Sequence, residues 1–232
     1  MIAALHARGG RWVMVTPTVP EYQAVAQGLR SRPGSDPIEL RRSGIGPARA
    51  AALAASLSAD LENGADIAGI ALLGWAGGLT ADLRPGGVVI ASCALFGDRP
   101  VIPCRPVILP GAAGGPILTV PAVLRSATAK AAAATSGALA VEMEAYPLAA
   151  WAHTHGLPFV HARVILDVLD EPLPDLAGII DHTGRARPLR LLRACVARPN
   201  LLPELWRFTG RIRLANARLT ALAAAIPDAL EV

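Results

Sequence analysis

The sequence predicts an α/β protein whose central sheet, mostly parallel or mixed, lies between two layers of helices. Short apolar runs typical of buried strands alternate with Ala- and Leu-rich runs typical of helices, from residue 12 to residue 166. The chain has 232 residues, 53% of them hydrophobic, which is enough for one extensive core. Glycine-rich turns follow two of the predicted strands. This combination favours a three-layer α/β/α sandwich.

The first part of the chain predicts an alternation of strands and helices. Residues 12–15 form a β-rich run, and residues 21–29, which follow two prolines, suit a helix. Residues 38–40 suit an edge strand, and residues 47–61 predict a helix with proline at a favourable first position. Residues 67–73 predict a buried strand that enters a glycine-rich turn.

The alternation continues after this turn. The segment 97–118 is rich in Pro and Gly and predicts an irregular loop. Apolar runs predict further strands, and Ala-rich or amphipathic runs predict further helices. The predicted strands are 88–91, 139–141 and 159–166, and the predicted helices are 122–136 and 144–155.

Composition excludes several classes of protein. No stretch reaches the roughly 20 predominantly apolar residues that span a bilayer, and the first residues lack the apolar centre and cleavage site of a signal peptide. We therefore expect a cytoplasmic protein. Cys93, Cys104 and Cys195 are odd in number and widely separated, which predicts neither a disulfide framework nor a zinc site. We expect no metal.

Positive charge is concentrated near the end of the chain. The net charge is +4, and Lys130 is the single lysine, so arginine supplies almost all of the basic residues. The arginine-rich block 185–218 can serve nucleic acid, an anionic membrane surface or a solvated helix face. An apolar stripe edged by arginine suits either a helix in the lipid headgroup region or a helix packed on the core. This stripe consists of Leu205, Phe208, Ile212, Ala215 and Leu219.

Two glycine turns and three acidic residues are candidates for chemistry. The turns are Ser43–Gly46 and Gly74–Gly78, and glycine lets the backbone approach a ligand closely, although a turn without a ligand explains either one alone. Glu142 and Glu144 follow an apolar run, where they suit either a ligand or the start of a helix. Asp167 ends the strand 159–166 and suits either a turn or a general acid whose pKa burial raises.

Four of these segments together resemble the superfamily of purine nucleoside phosphorylases and uridine phosphorylases. Their order and spacing are similar to those of its methylthioadenosine/S-adenosylhomocysteine nucleosidase branch. The segments are Ser43-Gly44-Ile45-Gly46, Gly74 to Leu79, Val141-Glu142-Met143-Glu144, and Pro158-Phe159 through Arg163 to Asp167. The C-terminal third is similar instead to hopanoid-associated phosphorylases, through Leu173-Pro174, Gly184-Arg185, Arg198-Pro199 and Leu202-Pro203.

The resemblance implies an enzyme that cleaves an N-glycosidic bond and releases adenine, with adenosylhopane as the substrate implied by the C-terminal third. Asp167 would protonate or hydrogen-bond N7 of the adenine, and Glu21 would orient or deprotonate the attacking water. Glu144 would bind the ribose hydroxyls and Met143 would pack on the sugar. The remaining substrate-binding candidates are Glu142, Ser43, Gly44, Gly46, Gly77 and Gly78.

The sequence also departs from the family pattern. The serine that usually precedes the catalytic Asp is Leu166 here, so the group that orients Asp167 must come from elsewhere. Arg41 and Arg42 are candidate phosphate ligands, which leaves attack by water or by phosphate open, with inorganic phosphate as a candidate co-substrate and no cofactor expected.

The predicted organisation is a catalytic domain at residues 1–184 with a basic helical extension at residues 185–232. We expect a homodimer that takes a lipid-linked purine nucleoside, with peripheral membrane contact through the extension and no nucleic acid. The alternative is an inactive member of the fold that binds membrane or nucleic acid. The presence of Glu21, Glu144 and Asp167 together favours the enzyme.

Overall fold

The computed structural model describes residues 10–31, 38–174, 178, 179, 181, 183, 184, 186–198 and 201–230. Strands and helices alternate as the sequence predicts, which confirms the α/β class. The strands are β1 (Arg11–Thr16), β2 (Ile38–Arg42), β3 (Ile67–Gly78), β4 (Val88–Leu95), β5 (Ile102–Pro103), β6 (Ala113–Thr119), β7 (Ala140–Glu142) and β8 (Phe159–Asp167). The helices are α1 (Val19–Arg30), α2 (Pro47–Glu62), α3 (Ala127–Ala134), α4 (Ala145–Thr154), α5 (Pro188–Ala197) and α6 (Leu201–Leu230).

The strands form one mixed sheet. β1 pairs in parallel with β2 and β3, β3 with β8, and β6 with β4 and β7. The pairs β3–β7, β4–β5 and β4–β8 are antiparallel. Because β8 bridges β3 and β4, the strands β3, β8, β4, β6 and β7 close a ring. The last residues of β3, β7 and β8 therefore lie close together.

Helices cover both faces of the sheet. Successive strand residues point to opposite faces, so Val13 packs with α2 and α4 in one core while Met14 packs with α1 and α6 in another. The same alternation separates Leu72 from Leu73 on β3. Two apolar layers on one sheet confirm the predicted sandwich.

Two segments differ from the sequence prediction. The predicted glycine turn Gly74–Gly78 is wrong, because β3 continues through it. Gly77 and Gly78 pair with Val141 and Ala140, so ladder hydrogen bonds hold backbone that has no side chains to signal a strand. The segment 97–118 also contains β5 and most of β6, whose Gly-Gly-Pro sequence has no β pattern.

The C-terminal part of helix α6 packs against the rest of the protein. In this part Ala215, Leu219 and Ile226 are buried against the sheet and α1. The close contact with α1 depends on Gly28, where a Cβ atom would lie 2.8 Å from that of Ala223. The predicted apolar stripe therefore faces the protein at Ala215 and Leu219 and is not available there to a membrane.

The extension contains no membrane-crossing segment that the structure describes. Among the helices of the described residues, none is both long and apolar enough to cross a lipid bilayer. The predicted boundary of the extension falls at Arg185, which lies outside the described residues, as does Pro199 of the Arg198-Pro199 motif. The division of the chain at that point stays a prediction.

Candidate active site

A cavity of about 190 Å³ lies where β3, β7 and β8 end. It contains all four acidic residues that the sequence singles out, together with apolar side chains. The predicted residues lining it are Glu21, Gly77, Glu142, Met143, Glu144 and Asp167. The other lining residues are Pro17, Thr18, Ile45, Trp75, Ala76, Val120, Val123, Leu124, Lys130, Val141, Leu166 and Leu173.

Glu21 lies at the third position of α1 and is held there by the start of its own helix. Its Oε2 accepts hydrogen bonds from the Thr18 amide at 2.9 Å and from the Thr18 hydroxyl. Because the Glu21 amide in turn donates to the Thr18 hydroxyl, the two residues form a capping box. Oε1 accepts from the Trp75 amide at 2.6 Å, which ties Glu21 to β3.

Burial raises the pKa of Glu21 above its usual value, while Arg163 and the hydrogen bonds to Thr18 and Trp75 oppose this increase. Only 2% of the residue is exposed. A carboxyl group of raised pKa can take a proton from water more readily than an ordinary one. Glu21 therefore has the environment of a general base.

Glu142 is engaged by protein donors on both of its oxygens. It accepts from the amides of Glu144 at 2.8 Å and Ala145 at 2.9 Å, which are free donors at the start of α4. It also accepts from the Thr119 hydroxyl at 2.5 Å and forms a buried ion pair with Arg163. Glu142 thus fixes the turn that carries Glu144.

Glu144 has fewer partners. It accepts from the Gly46 amide at 2.8 Å, and its Oε2 lies 3.4 Å from the Arg163 guanidinium. Burial, followed by the neighbouring charge of Glu142, raises the pKa of Glu144 to about 8. At neutral pH this side chain therefore carries a proton for most of the time.

Arg163 is the residue that sequence reasoning left without a role. It is fully buried on β8 and contacts Glu142, Glu144 and His161, whose Nε2 accepts from Arg163 Nε at 2.8 Å. Burial and the adjacent guanidinium hold the pKa of His161 well below its usual value, so the ring is a neutral acceptor. An arginine inside an otherwise apolar strand was the available signal, because a buried guanidinium requires acidic partners.

Gly74 makes room for this arrangement. A Cβ atom at residue 74 would overlap the Arg163 guanidinium and lie 2.6 Å from Glu21 Oε1. Residue 74 must therefore be glycine because the Arg163 and Glu21 side chains approach its backbone, and not because the chain turns there.

Asp167 ends β8 and forms an ion pair with Lys130 of α3. Only 3% of Asp167 is exposed, and burial raises its pKa while Lys130 lowers it. The backbone of Gly77 lies beside it, since a Cβ atom there would be 3.3 Å from Asp167 Oδ2. A buried carboxyl group at the rim of an apolar cavity has the environment of a general acid.

The remaining predicted residues are placed differently. Gly46 contacts the site through its hydrogen bond to Glu144 and lies beside Met143. Ser43 bonds to the Gly44 carbonyl, and neither of these two lines the cavity, nor does Gly78.

Arg41 and Arg42 are not brought to the cavity. Arg41 forms ion pairs with Glu39 and Asp60, and Arg42 is exposed at the end of β2. No phosphate role follows from their positions. Among the described residues, no cluster of three or more His, Cys, Asp or Glu is arranged to hold a metal ion.

Comparisons with known proteins agree with this fold. Residues 110–197 match the model of the phosphorylase superfamily. A 5'-methylthioadenosine/S-adenosyl homocysteine nucleosidase of Helicobacter pylori has a TM-score of 0.68 at 15% identity, covering 96% of this chain and 99% of that one. A futalosine hydrolase of the same organism has a TM-score of 0.68 at 14% identity, covering 94% and 99%.

A third solved structure belongs to the same group. The S-adenosylhomocysteine nucleosidase of Streptococcus pyogenes has a TM-score of 0.62 at 18% identity, covering 93% of this chain and 97% of that one. A comparison with curated protein sequences finds no match. The chain has the fold of the nucleoside phosphorylases and nucleosidases, and the resemblance predicted from its motifs is confirmed at the level of the phosphorylase superfamily.

Proposed function

We propose that this protein hydrolyses the N-glycosidic bond of a purine nucleoside and releases adenine. The observation that carries the proposal is the meeting of three buried carboxyl groups, Glu21, Glu144 and Asp167, in one largely apolar cavity. Cleavage through an oxocarbenium-like transition state needs an acid on the leaving group and a carboxylate near the nucleophile. Raised pKa values at all three positions support such a division of roles.

Each carboxyl group then has one task. Asp167 donates a proton to N7 of the purine while the electrons of the glycosidic bond pass to the ring at N9. Glu21 takes a proton from the water that attacks the sugar carbon. Glu144 accepts hydrogen bonds from the ribose hydroxyls, and Met143 packs against the sugar. The products are adenine and the free sugar.

The charges of the site favour water over phosphate as the nucleophile. Among the described residues lining the cavity, the one cation is Lys130, and Asp167 neutralises it. Arg163, behind the lining, is already paired with Glu142. A phosphate dianion would therefore lie beside the carboxyl groups of Glu21 and Glu144 without a free cation, at a high electrostatic cost.

The apolar wall of the cavity supports a substrate with an apolar group on its sugar. Val120, Val123, Leu124, Leu166 and Leu173 contribute to this wall, and Val123 is half exposed at 50%. An apolar substituent would gain about 25 cal/mol for each Å² of surface removed from water. Together with the resemblance of the C-terminal third to hopanoid-associated phosphorylases, this apolar wall favours adenosylhopane as the natural substrate.

The proposal is tested by adenine release. The purified protein is incubated with methylthioadenosine and with adenosylhopane in detergent, with and without inorganic phosphate, and adenine and sugar products are separated by chromatography. We expect adenine and free sugar from both, with the higher kcat/KM for adenosylhopane and no stimulation by phosphate. A sugar 1-phosphate product would instead establish phosphorolysis. No adenine from either substrate would favour the inactive alternative.

Glu144→Gln is expected to lower kcat and kcat/KM together by about 10-fold to 10²-fold. A hydrogen bond to an ionised carboxylate contributes about 1.5–3 kcal/mol, and the positive charge that the ribose ring gains in the transition state favours the ionised form of Glu144. Steady-state kinetics with methylthioadenosine measure both constants. A change confined to KM would show instead that Glu144 binds substrate and transition state equally.

The same substitution is expected to stabilise the protein at higher pH. Because folding raises the pKa of Glu144 to about 8, the folded state binds the proton more tightly than the unfolded state. Stability is therefore lost as pH rises from about 4.5 towards 8, and Glu144→Gln removes that loss. Urea unfolding at pH 5 and pH 8 should show a larger gain for the variant at pH 8 than at pH 5. Parallel curves at both pH values would contradict the raised pKa.

We also propose that the protein binds the cytoplasmic face of an anionic membrane, as a homodimer, through α5 and the first turns of α6. Large apolar side chains on these helices are exposed to solvent among arginines. Leu189 and Leu192 are three residues apart on α5, and Leu202 and Trp206 are four apart on α6, with 79% of Trp206 exposed. Arg187, Arg190, Arg193 and Arg213 are exposed nearby in the sequence. Apolar side chains edged by arginine suit a headgroup region.

Liposome sedimentation tests this surface. Each arginine near an anionic surface contributes about 1 kcal/mol, which salt screens, so Arg193→Glu should weaken binding to anionic vesicles by about tenfold or more at low salt. Arg30→Glu makes the same charge change on α1 and should bind as the unmodified protein does. Equal binding by both variants, or none by the unmodified protein at low salt, would contradict membrane docking.

A further inference from the structure

Lys130 is the single lysine of the chain, and it is buried in the candidate site. Only 1% of the residue is exposed, on α3, where an Ala-rich helix has no other charged side chain. Its ammonium group donates to Asp167 Oδ2, to the Val168 carbonyl at 2.7 Å and to the Glu171 carbonyl at 2.9 Å. All three donors of the ammonium are used.

This buried ion pair is not expected to stabilise the fold by itself. Removing a lysine from water is unfavourable, and replacing a buried ion pair by apolar side chains is often neutral or stabilising. The position before Asp167 is Leu166, whose side chain offers no hydrogen bond to orient the carboxyl group. Lys130 supplies that contact from helix α3. It also binds the carbonyls of Val168 and Glu171, which follow Asp167 in the chain.

We propose that Lys130 is a positioning residue for the reaction: its ammonium group holds the Asp167 carboxyl group at the purine subsite, and its removal changes how the rate depends on pH. This inference rests on the proposed function, because it assigns Lys130 a role only through Asp167. Lys130 itself need not touch the substrate.

The direction of the pH effect follows from the groups around Asp167. Burial raises the pKa of Asp167, and Lys130 is the main opposing group, with Arg211 of α6 adding a smaller effect of the same sign. The other titratable groups lining the cavity are the carboxyls of Glu21, Glu142 and Glu144. Removing the ammonium leaves only the smaller effect of Arg211 to oppose burial, so the pKa of Asp167 rises. An acid that must be protonated then stays active to higher pH.

Two substitutions at residue 130 separate this role from a structural one. In Lys130→Met we expect kcat at the optimum to fall at least about tenfold, because misplacement of a catalytic group by about 1 Å costs up to 10²-fold. The basic limb of the kcat profile should move to higher pH. Lys130→Arg keeps the charge and should restore the position of the limb and most of the rate. A Lys130→Met profile with the limb unmoved would overturn the proposal, whatever its effect on folding.

Because Lys130 is the sole lysine, selective isotope labelling of lysine gives one side-chain NMR signal that reports the ion pair without any assay of activity. Asp167→Asn should change the chemical shift of this signal, because the ammonium group loses its counter-charge. Adenine alone, at millimolar concentration, should shift the signal in the unmodified protein. A signal unaffected by adenine would overturn the placement of the pair at the purine subsite, even if Lys130→Met does not fold.

The two lines of evidence distinguish failure of this inference from failure of the proposed function. If no nucleoside is cleaved but adenine shifts the lysine signal, the reaction is wrong and the purine subsite beside Lys130 stands. If adenine is released and Lys130→Met matches the unmodified protein in rate and pH profile, the reaction stands and the role of Lys130 is wrong.

Discussion

Replacing Asp167 with asparagine is expected to lower the rate of adenine release by about 10²-fold to 10⁴-fold, the usual contribution of a general acid. The amide has the shape of the carboxyl group but cannot supply the proton that N7 of the purine needs. Asp167 is the acid at the end of β8, it lines the cavity, and burial raises its pKa. Its loss should therefore act on kcat more than on KM.

The measurement is single-turnover release of adenine from methylthioadenosine, which isolates the chemical step from product release. Asparagine can still accept a hydrogen bond from Lys130, but the buried ammonium loses its counter-charge, so the folded fraction must be checked by urea unfolding. Asp170→Asn is the matched control, because it makes the same change three residues further on, outside the cavity lining. A variant that keeps more than half of the activity would remove Asp167 from the mechanism.

The fold was accessible from the sequence wherever hydrophobic pattern and helix signals agree. Residues 47–61 predict α2 to within one residue, because Pro47 starts the helix and Ala and Leu dominate its interior. The continuation of β3 through Gly74–Gly78 was not accessible. Those residues form a strand because Val141, Arg163 and Ile165 pair with them from distant parts of the chain. Tertiary pairing, not local propensity, decides such a segment.

The candidate site divides in the same way. The motif residues Glu142, Glu144 and Asp167 were identified because acids at strand ends are conspicuous in a chain with few charges. The basic partners were not assigned. Lys130 meets Asp167 across 37 residues and Arg163 meets Glu142 across 21, and no local spacing predicts either pair. Two signals could have indicated these ion pairs: the single lysine lies within an Ala-rich helix, and the arginine lies within an apolar strand.

Arg163→Met should reduce the free energy of unfolding by about 3–5 kcal/mol, the usual cost of leaving a buried charge without its partner. Arg163 is fully buried and contacts both Glu142 and Glu144, while Glu21 lies close enough for the guanidinium to lower its pKa. Methionine fills a similar volume, so the loss measures charge rather than a cavity. Urea unfolding at pH 7 is the measurement.

A double substitution separates the charge from packing. Glu142→Gln/Arg163→Met removes both members of the ion pair, and it should recover part of the stability that Arg163→Met loses, because no ionised Glu142 is then left unpaired. Activity should not recover in the double variant, because the guanidinium group that contacts Glu144 is still missing. A loss of less than about 1 kcal/mol in Arg163→Met would instead mean that Glu142 and Glu21 carry no charge that the guanidinium group stabilises. In that case Glu21 could not act as the base at pH 7, which links the stability of β8 directly to the chemistry of the cavity.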